Sequence, residues 1–176
     1  MPLNLTHAFA MAAAIALLAM AACGGGGDNE LTNADRDYAA QVTRIGARAS
    51  SLLQRLSSLE TTTGFSDRDA AKDASEQLKG MAEEIQGLEA PDRFEGTQRS
   101  LAEGGGSLRK IGELNLEFIK SGDRKALNEA RGLSENAFDP IAVAMRDVIE
   151  ALRESAQGSP TAGPTGSPSP QASPET

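Results

Sequence analysis

Histidine and cysteine occur once each, as His7 and Cys23, tryptophan is absent, and Tyr38 is the single tyrosine beside five phenylalanines. Beyond His7 the chain offers no imidazole, which removes His-based triads, His-ligated zinc and haem attachment from everything downstream. Catalysis by carboxylates alone remains open, but such chemistry works in clefts lined by polar and aromatic groups, and the aromatic supply is thin. Basic charge is also short. The 17 Lys+Arg stand against 25 Asp+Glu for a net charge of -8, and none of these residues falls in residues 1–22. An acidic chain is a poor match for nucleic-acid phosphates, so no nucleic acid is expected as a partner, and anionic lipid headgroups would repel it. There is no internal repeat and no alternating pattern that would mark strands.

What the chain does have at its start is one apolar run, residues 8–22, fifteen residues long and followed directly by Cys23. A helix that spans a hydrocarbon core needs about 18 or more apolar residues, whereas a secretory signal has a shorter apolar region that ends in small residues. The run therefore reads as an export signal. It closes on Leu18, Ala19, Met20, Ala21, Ala22 and Cys23, then opens into four glycines at residues 24–27.

This end resembles the lipobox of bacterial lipoproteins, with Met20 where leucine is usual. The resemblance implies cleavage between Ala22 and Cys23, a diacylglycerol in thioether linkage on Cys23, and no free thiol afterwards. Apart from that lipid no cofactor is expected. Localisation follows: lipid-anchored at the cell membrane, on the extracytoplasmic face. The plainer alternative is an ordinary cleaved signal with a leftover thiol.

Residues 23–31 read as the lipidated cysteine and a flexible tether, 32–156 as a helical domain and 157–176 as a Pro-, Ser- and Thr-rich tail expected to be disordered. In the domain, apolar residues recur at Tyr38, Val42, Ile45, Ala49, Leu52, Leu56 and Leu59, in alternating steps of four and three. That spacing lays one coiled-coil-like seam along a first helix, capped by Thr32 or Asn33. A break at Thr61, Thr62, Thr63 and Gly64 precedes a second helix, with a capping box at Ser66 to Asp69, Phe65 stapled onto Ala70 and a seam from Ala71 to Leu88. Pro91 reads as the first residue of a third helix ending at Ser121. Asp123 then caps a fourth, whose face runs from Leu127 through Ala137, Ile141 and Val148 to Leu152. The expectation is an all-α, up-down-up-down antiparallel four-helix bundle.

Three features stand out as candidate sites. Gly104, Gly105 and Gly106 lie inside the third helix, where each glycine costs about 1 kcal/mol relative to alanine. Folding the fourth helix back sets Gly105 opposite Phe138, beside a kink expected at Pro140. Either the missing side chains allow close packing, or a mid-bundle pocket lined by Leu101, Gly104, Gly105, Gly106, Leu108 and Phe138 admits an apolar ligand; local disorder is a third outcome. The second feature is Arg44, Arg48 and Arg55, within about 40 degrees of one another on the first helix. They read as partners for Asp73, Glu76, Glu83 and Glu84 or as an anion-binding stripe. The third is Glu113 and Glu117, which read as solvated surface, with no metal site expected.

These features give a lipid-anchored envelope protein that binds rather than catalyses. Its partners are the membrane, through the anchor, and another envelope protein. The alternative is a carrier or sensor of a small apolar ligand at the glycine level.

Overall fold

The structure is a computed structural model, and it describes residues 31–157. The segments expected to be an export signal, a lipidated Cys23 with its tether up to residue 30, and a tail from residue 158 lie outside the described residues. Within them the chain is a helical bundle of five α-helices: α1 (Asn33–Leu59), α2 (Arg68–Gln86), α3 (Glu95–Ser121), α4 (Arg124–Ser134) and α5 (Asp139–Gln157). No helix among the described residues is long and apolar enough to cross a membrane.

Local chemistry sets most of the boundaries. Thr32 caps α1, its Oγ1 accepting the Asp35 amide at 3.1 Å while the Asp35 carboxylate accepts the Thr32 amide at 2.8 Å. This reciprocal box satisfies two amides that the helix itself cannot. For α2 the cap is Asp67, which accepts the Ala70 amide at 2.9 Å, and not Ser66 as the expected box would have it. Ser66 instead donates both its amide and its hydroxyl to the Leu59 carbonyl. At the far end of α3, Gly122 adopts φ +76 and returns its amide to the Phe118 carbonyl at 2.8 Å. A residue with a Cβ resists that left-handed conformation, so glycine here ends the helix sharply.

Three boundaries differ from the sequence expectation. Residues expected only to break the pattern form a two-stranded antiparallel hairpin, β1 (Glu60–Thr61) and β2 (Gly64–Phe65), paired Glu60 to Phe65 and Thr61 to Gly64. Strands of two residues leave no alternation to detect. Pro91 does not open α3 but precedes a 3₁₀ turn, Asp92–Phe94, which then runs into α3. The expected fourth helix is two helices, α4 and α5, separated by turns at residues 135–138. Pro140 is the second residue of α5, where its missing amide costs no helical bond; it starts a helix where a kink within one was expected.

The seams read from the sequence are the core. Tyr38, Val42, Ile45, Ala49, Leu52 and Leu56 of α1 are all buried, as are Ala71, Ala74, Leu78, Met81 and Ile85 of α2. Leu101, Leu108 and Ile111 of α3 join them with Ile141, Ala144 and Val148 of α5 in one cluster. Leu31, expected in the tether, also packs into it. A second, smaller cluster holds α4 to the end of α3 through Leu114, Phe118, Ala126, Leu127 and Ala130. Phe65 meets Phe118 edge-on, with ring centroids 5.9 Å apart. The hairpin is tied to α4 by Arg131, which donates to the Thr61 carbonyl at 2.6 Å and lies 3.4 Å from Glu60. Burial pushes the Glu60 carboxyl above its usual range, and Arg131 opposes that rise.

Candidate functional site

At the glycine level of α3 the structure brings helices together and fills the space between them. A Cβ added to Gly104 would overlap Cγ1 of Ile141, and one on Gly105 would stand 3.2 Å from the side chain of Ile85. Leu101 and Leu108 are fully buried on either side. Gly106 is exposed and has nothing within 4 Å of its Cβ position. Phe138 is half-buried in the break between α4 and α5. Gly104 thus meets Ile141, whereas counting along a continuous fourth helix placed Phe138 opposite Gly105. The turns at residues 135–138 account for that register difference of two residues, about half a helical turn. Two further glycines, not singled out from the sequence, do the same work: Gly46 lies under Met145, and Gly112 against the Ser75 carbonyl. Their signal was available, since each sits next to a seam residue, Ile45 and Ile111.

The arginine row on α1 divides. Arg48 bonds Glu84 at 2.6 Å and Arg55 bonds Asp73 at 3.2 Å, both across to α2. Arg44 is exposed, as are Glu113 and Glu117. No group of three or more metal-ligating side chains is gathered among the described residues.

The richest polar chemistry lies elsewhere, around the start of α1 and α3. Asp35 is 4% exposed; besides the Thr32 amide it accepts the Thr32 hydroxyl at 2.9 Å, with Arg93 Nη1 3.8 Å away. One turn on, the Tyr38 hydroxyl donates to Gln98 Oε1 at 2.8 Å. The Gln98 amide donates in turn to the carbonyls of Ile85 and Leu88, so a single side chain joins α1, the end of α2 and α3. The Tyr38 ring stacks on Phe94 at 5.3 Å. Burial pushes the phenol up to about 12, because an ionised oxygen would lose its hydration there.

Beside this cluster a groove of about 480 Å³ opens between the first turn of α3 and the last turns of α5. Arg93, Phe94, Gly96 and Thr97 form one wall. Asp147, Glu150 and Glu154 of α5 face them, with Ala151 and Ser155 between. The lining combines four charged side chains with Phe94 and Ala151, so it suits a polar or charged ligand better than an oily one. Sequence reasoning missed it because its walls come from segments some fifty residues apart. The visible trace was the spacing of the three carboxylates, which a helix returns to one face.

No protein family, curated protein or solved structure matches the chain.

Proposed function

We propose that the chain is a lipid-anchored protein of the bacterial cell envelope whose helical bundle works by binding another envelope protein, without catalysis. The observation that carries this reading is the junction at Cys23: an apolar run of fifteen residues, small residues, the single cysteine and four glycines, with Leu31, a few residues on, already packed into the core of the helical domain. The absence of His and of any other Cys beyond that point supports a binding role.

In the finer arrangement we propose, α4 and α5 together form the fourth arm of an up-down-up-down antiparallel bundle, tethered at one end through residues 23–30 and carrying a flexible tail after α5. In support, the α1–α2 ion pairs run in opposite sequence order, Arg48 with Glu84 and Arg55 with Asp73. What supports a protein partner is the flank of α5 at Ile149, which is half-buried and belongs to neither apolar cluster. The carrier alternative fares less well, because Ile85 and Ile141 take up the room beside Gly105 and Gly104 that a ligand would need.

The test is mass spectrometry of the N-terminal peptide from membrane-extracted protein, together with detergent phase partitioning of the native chain and of Cys23→Ser. The expected result is an acylated Cys23 peptide and a variant released to the aqueous phase. An unmodified Cys23 on a membrane-bound chain would overturn the anchor.

A further inference from the structure

Two side-chain polar atoms shielded from solvent have no hydrogen-bond partner among the described residues, Thr43 Oγ1 and Asn115 Oδ1. Only the first carries a proton to donate. Other hydroxyls in these helices are spent on their own backbone: Ser75, Ser107, Ser121 and Ser134 each donate to the carbonyl four residues earlier. Thr43 makes no such bond, and an idle donor hidden from water costs the fold stability.

Beside it lies a sulfur. Gly46 is three residues on from Thr43 along α1, and helix positions so spaced stand about 5–6 Å apart between Cβ atoms. Met145 of α5 rests on Gly46 so closely that a Cβ there would overlap its Sδ, with Cε 3.1 Å from the same position. The thioether thus fills the place of a missing side chain next to the Thr43 hydroxyl. Met81 and Met145 are the two methionines after Cys23. Met81 is fully buried, whereas Met145 is half-buried where α5 packs on α1.

We propose that Met145 is an oxidation site for peroxides and that Thr43 holds its oxidised form. The sulfur lone pair attacks one oxygen of hydrogen peroxide; an S–O bond forms, the O–O bond breaks, and the other oxygen leaves as water. Sulfur gives up two electrons and peroxide takes them. The flexible thioether turns its new oxygen toward Thr43 Oγ1, which donates to it, so the idle donor gains an acceptor and an apolar seat becomes a hydrogen-bonded one. Met81, enclosed on all sides, reacts only when the bundle opens. Nothing in this depends on the lipid anchor or on a partner.

Peptide mass spectrometry of the full chain after treatment with hydrogen peroxide reads each methionine by its added oxygen. In the folded chain Met145 should convert at least about tenfold faster than Met81, and the two should converge in urea. Thermal melts then test the hydroxyl. Reduced Thr43→Val should melt with the native chain or slightly above it, since no bond is lost. After oxidation it should melt about 4 °C below the oxidised native chain, while Thr43→Ser, which keeps the hydroxyl, follows the native chain. Peroxide should not move the melt of Thr43→Val/Met145→Leu. The proposal is overturned if Met145 reacts no faster than Met81 in the folded chain, if Thr43→Val loses no more on oxidation than the native chain does, or if the double variant loses as much as Thr43→Val.

Discussion

Gly104 and Ile141 meet so closely that even a methyl group on the glycine would overlap the isoleucine Cγ1. Three successive glycines in one helix thus have three different surroundings: Ile141 against Gly104, Ile85 against Gly105 and open solvent beside Gly106. Gly104→Ala should destabilise the bundle by about 1–2 kcal/mol, the overpacking cost exceeding the gain in helix propensity. Gly106→Ala should instead stabilise it by up to about 1 kcal/mol, since only the propensity term applies. Urea denaturation of the two single variants checks the pair, and equal effects of one sign would refute the packing account.

A second comparison turns on what the new methyl group would strike. At Gly112 it would lie 2.6 Å from the Ser75 carbonyl, a backbone atom fixed within α2. At Gly46 it would strike the side chain of Met145, which is flexible and can move aside. Gly112→Ala should therefore cost about 2–3 kcal/mol and Gly46→Ala less than about 1 kcal/mol. Thermal melts of both variants give the order directly.

Tyr38 is the single tyrosine, so the phenolate absorbance of the whole protein reports on that one group. Its pKa is raised to about 12 in the folded chain, against about 10 when unfolded. A raised value means that the fold favours the neutral phenol. The resulting stabilisation is complete below pH 10 and disappears as pH climbs from 10 through 12. A spectrophotometric titration should show a midpoint near 12 for native protein and near 10 in denaturant. Tyr38→Phe should flatten the fall in melting temperature over that window.

Much of this architecture was legible beforehand, for reasons that also explain what was not. Alternating steps of three and four from Tyr38 to Leu56 identify a buried seam because helix geometry admits only one such face. The caps at Thr32, Asp67 and Asp123 lie at or next to the expected residues, since short polar side chains satisfy free amides locally. The break before Pro140 was visible only as a disturbance. Whether proline kinks a helix or begins one depends on whether the chain ahead of it is still helical, and residues 135–138 are not. The contacts of Gly46 and Gly112, and the groove facing Thr97, depend on which helix lies opposite, and no local pattern carries that information.

Asp35 tests the capping account. It is buried, accepts two hydrogen bonds from Thr32 and lies near Arg93. Asp35→Ala should lower stability by about 1–2 kcal/mol, and Thr32→Ala by about 1 kcal/mol. The double variant should cost less than the sum, because both residues belong to the same reciprocal pair. Chemical denaturation of the four-member cycle measures that coupling; strict additivity would show that the two act separately.

The separate apolar cluster beneath α4 divides the bundle into two units of unequal permanence. Ala126, Leu127 and Ala130 rest on Leu114 and Phe118, and the turns at residues 135–138 interrupt the helical hydrogen bonding that would tie α4 to α5. Such a segment can open on its own, at a lower free energy than global unfolding. Hydrogen exchange should therefore find the α4 amides less protected than those around Leu78 and Leu108. Arg131→Ala, which removes the tie to Thr61 and Glu60, should quicken α4 further while leaving the slowest amides unchanged. The chain would then behave as a durable core bearing one short flap that exchanges with solvent on its own clock.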